Sequence, residues 1–235
     1  MMMEVALRID DGINAMLLGQ DREAIQSFRN ALLQCQLLSE SVLADEWQNE
    51  RPPSVASDHI RLLSVQLNEG SAPGMMVDDD CSSPDGGRPL FHQAFRVMTS
   101  HTELTKSFTP YDFAITVAVL VYNEGMSFHR LFLSQHLSKL LGARSYALRN
   151  ALRFYIFAVY ALEPVIEETK NHQIFLLHVA ILANACSVCA ALFDYQAMSA
   201  VLPKLRHEVR RVQMLVEHED PVKESSCLAE IDTLL

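Results

Sequence analysis

Cys186 and Cys189 form a Cys-x-x-Cys pair, the spacing of thiolate zinc sites and dithiol redox sites. A structural zinc needs two further ligands, and no second pair at that spacing occurs. Both cysteines fall inside the apolar run 174–193 and on its packing stripe, so they read as packing residues. His129 and His136 share one helix face with no Glu between them at ligand spacing, which does not make a metal site. The chain has no phosphate-cradling glycine loop after a strand and no Gly-x-Ser-x-Gly nucleophile context. The adjacent carboxylates Asp10–Asp11, Asp78–Asp80 and Glu167–Glu168 sit in turns or polar tracts and read as solvated charge. No catalytic residue, metal or cofactor is therefore expected, and the chain is not read as an enzyme.

One charged cluster is denser than average. Lys204, Arg206, His207, Arg210 and Arg211 lie on the outer face of a helix, with Glu208 and Glu217 diluting them. The plain reading is a solvated face; the functional one is a secondary basic surface for an acidic partner. The whole chain carries a net charge of -10 and a pI of about 5.3, which argues against nucleic acid and anionic membranes as partners.

The elements that must position these residues are helices. The 235 residues are 49% apolar and 20% charged, enough for a sizeable core. Five cysteines match no disulfide framework, no Asn-x-Ser/Thr sequon occurs, and the first ten residues lack a signal-peptide pattern. A reducing, cytoplasmic setting is expected, with the nucleus as the other intracellular option. Residues 174–193 have the length and apolarity of a membrane span, but His178, Asn184 and Ser187 interrupt them. A buried core helix is expected there; membrane association through 174–193 is the competing reading.

Helical period places helices at Glu4–Leu18, from Asp21 to about Trp47, Pro110–Leu141, from Ser145 to near Pro164, His172–Phe193, and a sixth to about Glu217. Thr109-Pro110-Tyr111-Asp112 is a helix start, Gly142 is expected to cap the third helix, and the third helix is expected to bend near Asn123-Glu124-Gly125. Ser145–Glu163 is the expected centre, with Leu148, Ala151, Leu152, Tyr155, Ala158 and Leu162 on one stripe. The fifth helix buries Phe175, Val179, Leu182, Cys186, Cys189 and Phe193; the sixth turns Met198, Leu202, Leu205, Val209, Val212 and Val216 inward. Between the second and third helices, residues 50–109 are rich in Pro, Gly, Ser and Asp and are expected to be partly disordered. Two apolar islands, 60–67 and 90–98, fit either short helices or strands; they are read as a two-stranded excursion packed on the helices. Residues 218–235 are a polar tail.

The small residues carry a more specific signal. Gly12, Gly19, Ala24, Phe28 and Ala31 are spaced 7, 5, 4 and 3 apart, which resembles the tetratricopeptide repeat, a helix–turn–helix unit. Ala151, Tyr155 and Ala158 repeat the last two spacings with Gly125 as the small residue before them, and Asn184-Ala185-Cys186 parallels Asn123-Glu124-Gly125. Asp11 and Ala15 depart from the pattern where larger apolar residues are usual, as does Gln36 where a Pro often ends the unit. The resemblance implies an all-α fold: three antiparallel hairpins stacked as a right-handed array, the first at 1–49 and two more at 110–217. It also implies a non-catalytic scaffold that takes a peptide or partner protein in a concave groove lined by the first helix of each hairpin. The family's Lys and Asn clamp on a C-terminal carboxylate is unmatched, since Ile9 and Ile13 stand there. One turn either side of Gly125 and Cys186, the groove residues are expected to be Tyr122, Met126, His129, Arg130, Ala183 and Ser187. The competing enzyme reading would use Tyr122, His129 or Arg130.

Overall fold

A computed structural model of the chain describes residues 2–46, 60–67, 91–99, 109–133, 141–167, 169 and 171–216. These form six helices and two strands: α1 (Met2–Leu17), α2 (Asp21–Glu46), β1 (Ile60–Gln66), β2 (Gln93–Thr99), α3 (Pro110–Leu133), α4 (Leu141–Ile166), α5 (His172–Ala191) and α6 (Tyr195–Val216). The fold is all-α with one small antiparallel sheet, as the hydropathy pattern implied. The expectations of partial disorder within 50–109 and of a polar tail at 218–235 rest largely on residues outside those described.

The helices pair as three hairpins, α1 with α2, α3 with α4 and α5 with α6. They stack because α2 packs on α3 and α4 on α5. The first helices α1, α3 and α5 also touch in turn and form one layer. The expected small-residue contacts carry this packing. A Cβ added at Gly12 would lie 2.4 Å from a Phe28 ring carbon, and one at Gly125 would lie 3.0 Å from a Tyr155 ring carbon. In both hairpins the first helix gives up a side chain so that an aromatic ring of the second can lie against its backbone. Ala24, Ala31, Ala151 and Ala158 flank those two rings and are fully buried.

Local chemistry sets the helix ends. The Asp112 N–H donates to Thr109 Oγ1 (3.1 Å) and the Thr109 N–H donates to Asp112 Oδ2 (3.0 Å), a reciprocal cap at the start of α3. Gly19 takes φ +73° in the turn after α1, a conformation that favours glycine. Asn171 caps α5 by accepting the Gln173 N–H (3.0 Å).

Three element boundaries differ from the expectation. The described part of α3 ends at Leu133, α4 begins at Leu141, and Gly142 lies inside α4 instead of capping α3. Pro164 is likewise inside α4, two residues before its end. Phe193 follows α5 with φ 55°, a left-handed conformation that swings its ring out, so it is exposed and not on the buried stripe. α5 alone among the described helices is long and apolar enough to cross a membrane. Most of it is buried, with α4 and α6 packed along it.

The two islands are strands. β1 and β2 pair antiparallel from Ile60↔Thr99 to Gln66↔Gln93. β2 lies against α1 and α3, and β1 touches α5, so the sheet sits on the layer of first helices. One face of the sheet is buried there through Ile60, Leu62, Phe91, Phe95 and Val97. The other face carries Leu63 and Met98, each 50% exposed.

Candidate functional site

The register of the sheet decides which backbone groups remain available. The Leu67 N–H donates to the His92 carbonyl at 2.7 Å. Hydrogen-bonded pairs therefore recur at 65/94, 63/96 and 61/98, since they alternate along an antiparallel ladder. The polar groups of Phe91, just before β2, and of Gln93 and Phe95 within it point the other way, towards the helices. A buried strand edge with unpaired groups would be costly.

The helices satisfy that edge with side chains. Phe95 N–H donates to Asn123 Oδ1 (3.1 Å), and Asn123 Nδ2 donates back to the Phe95 carbonyl (2.8 Å). Phe91 N–H donates to Asn184 Oδ1 (2.9 Å), and Asn184 Nδ2 donates back to the Phe91 carbonyl (3.1 Å). Between them the Tyr122 hydroxyl donates to the Gln93 carbonyl (2.9 Å) and accepts from Asn184 Nδ2 (3.3 Å). An Asn side chain has the donor and acceptor of a peptide group, so Asn123 and Asn184 act here as a third strand supplied from helices. Burial raises the pKa of the Tyr122 hydroxyl, which holds it protonated and able to donate.

These positions repeat. Asn123 stands two residues before Gly125, and Asn184 two before Cys186. In α1 the same place, two before Gly12, is Asp10. Its carboxylate pairs with Arg96 of β2 (Nε–Oδ1 3.2 Å), and Asn14 accepts from Arg96 Nη2 at 3.3 Å. Thus β2 lies against α3 and α1, and Phe91, two residues before it, meets α5 through Asn184. The ring of Phe95 meets Tyr122 edge-on (centroids 5.6 Å), and Tyr122 lies against Tyr155 (5.9 Å).

The expected groove residues are placed differently from the expectation of an open surface. Tyr122, Met126 and His129 are fully buried, and Ala183 and Ser187 are buried too. Of the six, the hydroxyl of Tyr122 meets the strand. His129 Nδ1 lies 3.2 Å from the Tyr155 hydroxyl, inside the α3–α4 contact. Arg130 points at α2, where its Nε lies 3.3 Å from the buried Asp21 carboxylate. The physical reason is twofold: the sheet covers the first-helix layer at Tyr122, and α4 and α2 take up His129 and Arg130. The sequence shows Asn123 and Asn184 as parallel positions but not as the groups that bond the strand; polar amides inside apolar helices are the available signal.

The basic face is also partly committed. Arg211 stacks on the Phe175 ring (4.6 Å), pairs with Glu208 (3.2 Å) and donates to the Ile166 carbonyl (3.3 Å). Lys204 pairs with Glu163 at 3.1 Å. Arg206 and Arg210 are exposed. Cys186 and Cys189 sit in the packing of α5, where burial pushes their thiols up to about 11 and about 12, well away from thiolate chemistry. His136 lies outside the described residues. Among the described residues no three His, Cys, Asp or Glu side chains gather as a metal would require.

Two ion pairs join the first hairpin to the second. Arg29 of α2 meets the buried Glu124 of α3 at 2.8 Å, next to the Asp21–Arg130 pair. Burial, opposed by Arg130, raises the pKa of Asp21 to about 6; burial, opposed by Arg29, also raises that of Glu124.

No family model, no curated protein and no solved structure matches this chain.

Proposed function

We propose that the chain is a non-catalytic interaction scaffold of degenerate tetratricopeptide-like hairpins, and that its layer of first helices takes a peptide or a segment of a partner protein. The observation that carries this reading is the five hydrogen bonds between the side chains of Asn123, Asn184 and Tyr122 and the backbone of the extended segment 91–95. They recognise main chain, which every polypeptide offers, and they recur at equivalent positions of α3 and α5. The repeated close contact of Gly12 with Phe28 and of Gly125 with Tyr155 supports the repeat assignment. Two large side chains, Phe91 and Phe95, fill the apolar space between the polar contacts.

A peptide-display selection against the immobilised full chain tests the reading. Recovered peptides are expected to carry two large apolar residues four apart, and Asn123→Ala is expected to lower their affinity at least tenfold. Peptides that bind Asn123→Ala and Asn184→Ala as well as the parent chain would move the site elsewhere. Charge reversal at Arg206 and Arg210 would then be the next experiment.

A further inference from the structure

We infer that the groove between α4 and the α5–α6 turn docks an acidic segment of a partner polypeptide: two carboxylates meet Arg149 and Arg153, and a large apolar side chain rests on Phe157 and Phe193. This surface belongs to a second helix, α4, and the inference does not rest on the reading of the first-helix layer.

The groove measures about 610 Å³, and its lining includes Arg149, Arg153, Ile156, Phe157, Phe193 and Asp194. Arg149, Arg153 and Phe157 follow one another at successive turns on an exposed stripe of α4. The Arg153 guanidinium lies 5.3 Å from the centroid of the Phe157 ring, so cation and ring are already brought together. The opposite wall is Phe193. Its turn has the same hydrogen bonds as the turn after α1. Asp194 N–H donates to the Cys189 carbonyl (2.9 Å) and Phe193 N–H to that of Ala190 (3.1 Å). After α1, Gln20 N–H donates to Ala15 (2.8 Å) and Gly19 N–H to Met16 (3.0 Å). The left-handed position is Gly19 in one turn, at φ 73°, and Phe193 in the other, at φ 55°. Glycine takes that conformation freely, whereas a phenylalanine is strained in it. The ring gains little burial in return, being 75% exposed. A strained backbone that holds a large apolar ring in solvent, beside a second ring and two cations, is what a docking surface requires.

Charge chooses the occupant. Arg29, Arg96, Arg130 and Arg211 each meet a carboxylate, but Arg149 and Arg153 meet none among the described residues, although the chain carries a net charge of -10. The carboxylate at the groove, Asp194, already accepts the Ala197 N–H at 3.0 Å and caps α6. The groove therefore presents two open guanidinium groups one helical turn apart, which suit carboxylates held at a similar spacing. Two cations on a strongly acidic chain are too few for a nucleic-acid backbone or an anionic bilayer. An acidic segment with a large apolar residue satisfies both the arginines and the rings.

The test uses the full chain and fluorescein-labelled synthetic peptides with two glutamates on each side of a central Phe, Leu or Trp. Binding is expected to the parent chain and to weaken with salt. It should fall at least tenfold in the double variant Arg149→Glu, Arg153→Glu, and at least fivefold in Phe193→Gly. Phe193→Gly should melt no lower than the parent, because glycine suits the turn. That variant also keeps the test open if the charge-reversed chain does not fold by circular dichroism. Peptides that bind the parent and both variants alike, or all-glutamine peptides that bind as well as the acidic ones, overturn the inference. So does the absence of binding to the parent. A melting point of Phe193→Gly below that of the parent makes the ring a packing residue and removes it from the site. Tighter binding of oligouridylate or of phosphatidylglycerol vesicles than of the acidic peptides replaces the polypeptide by nucleic acid or membrane and overturns the proposal. A concentration-dependent dimer that Phe193→Gly abolishes places a second copy of the chain in the groove and overturns it as well.

Discussion

The layer of first helices holds one strand in two different ways. At α3 and α5 the contacts are buried amides on backbone, Asn123 on Phe95 and Asn184 on Phe91. At α1 the equivalent residue, Asp10, grips a side chain, Arg96, and its own carboxylate is 42% exposed. The first arrangement is indifferent to sequence and depends on geometry; the second depends on one residue and is open to solvent and salt. Energetically they should be far apart. A buried donor or acceptor left without a partner costs about 1–3 kcal/mol, whereas an exposed ion pair contributes about 0–1 kcal/mol.

The largest effect is expected behind the amide-lined part. Tyr155 is fully buried, backs Tyr122, and is truncated in Tyr155→Ala, which should cost about 3–5 kcal/mol in a urea melt. An unchanged midpoint would detach the α3–α4 core from the strand. Next, Asn123→Ala or Asn184→Ala leaves two buried backbone groups unpaired, those of Phe95 in β2 or of Phe91 just before it, and should cost about 2–4 kcal/mol, with loss of exchange protection along 91–99. A cost no greater than that of removing Arg96 would erase the distinction.

Acid should separate the two ends as well. His178, on α5, is buried 4.0 Å from Glu208, and burial, with smaller contributions from Lys204 and Arg211, lowers its pKa to about 4. Its contribution is present above the unfolded value near 6.5 and is lost as pH falls from there towards 4. Relative to His178→Gln, the parent chain should therefore lose about 2 kcal/mol between pH 7 and pH 5. Asp21, raised to about 6, works in the opposite sense: below that pH the folded chain tolerates its protonated form better than the unfolded chain does. A parent-minus-variant difference that is flat with pH would show that His178 titrates normally. The smallest effect belongs to α1: Arg96→Ala should cost less than about 1 kcal/mol, and less still at high salt.

Much of the helical frame was legible because it is written locally. The spacing of Ala24, Phe28 and Ala31 and of Ala151, Tyr155 and Ala158 identified the close-packed faces, and Thr109 to Asp112 announced a helix start. The start of α4 at Leu141 is not legible, because no strong breaker interrupts Leu131–Leu141 and the apolar pattern reads straight through. The strands were legible as apolar islands, but their seat was not. What holds β2 lies 28 residues away at Asn123 and 93 residues away at Asn184, and no local pattern encodes such a pairing. For the same reason the spacing places Tyr122 in an open groove, whereas it is a buried residue whose hydroxyl and ring both meet the strand.

The order of these partners along the chain has a consequence for synthesis. Phe91 leaves the ribosome well before Asn184, and at ~5–20 residues per second those 93 residues take from about 5 to 19 seconds to make. Until Asn184 is made, the outer edge of segment 91–95 lacks two of its five hydrogen bonds to the helices. Seating of the hairpin is therefore a late event, set by the arrival of α5. A chain truncated before His172 is left with an uncapped strand edge at Phe91, the kind of edge through which polypeptides associate with one another.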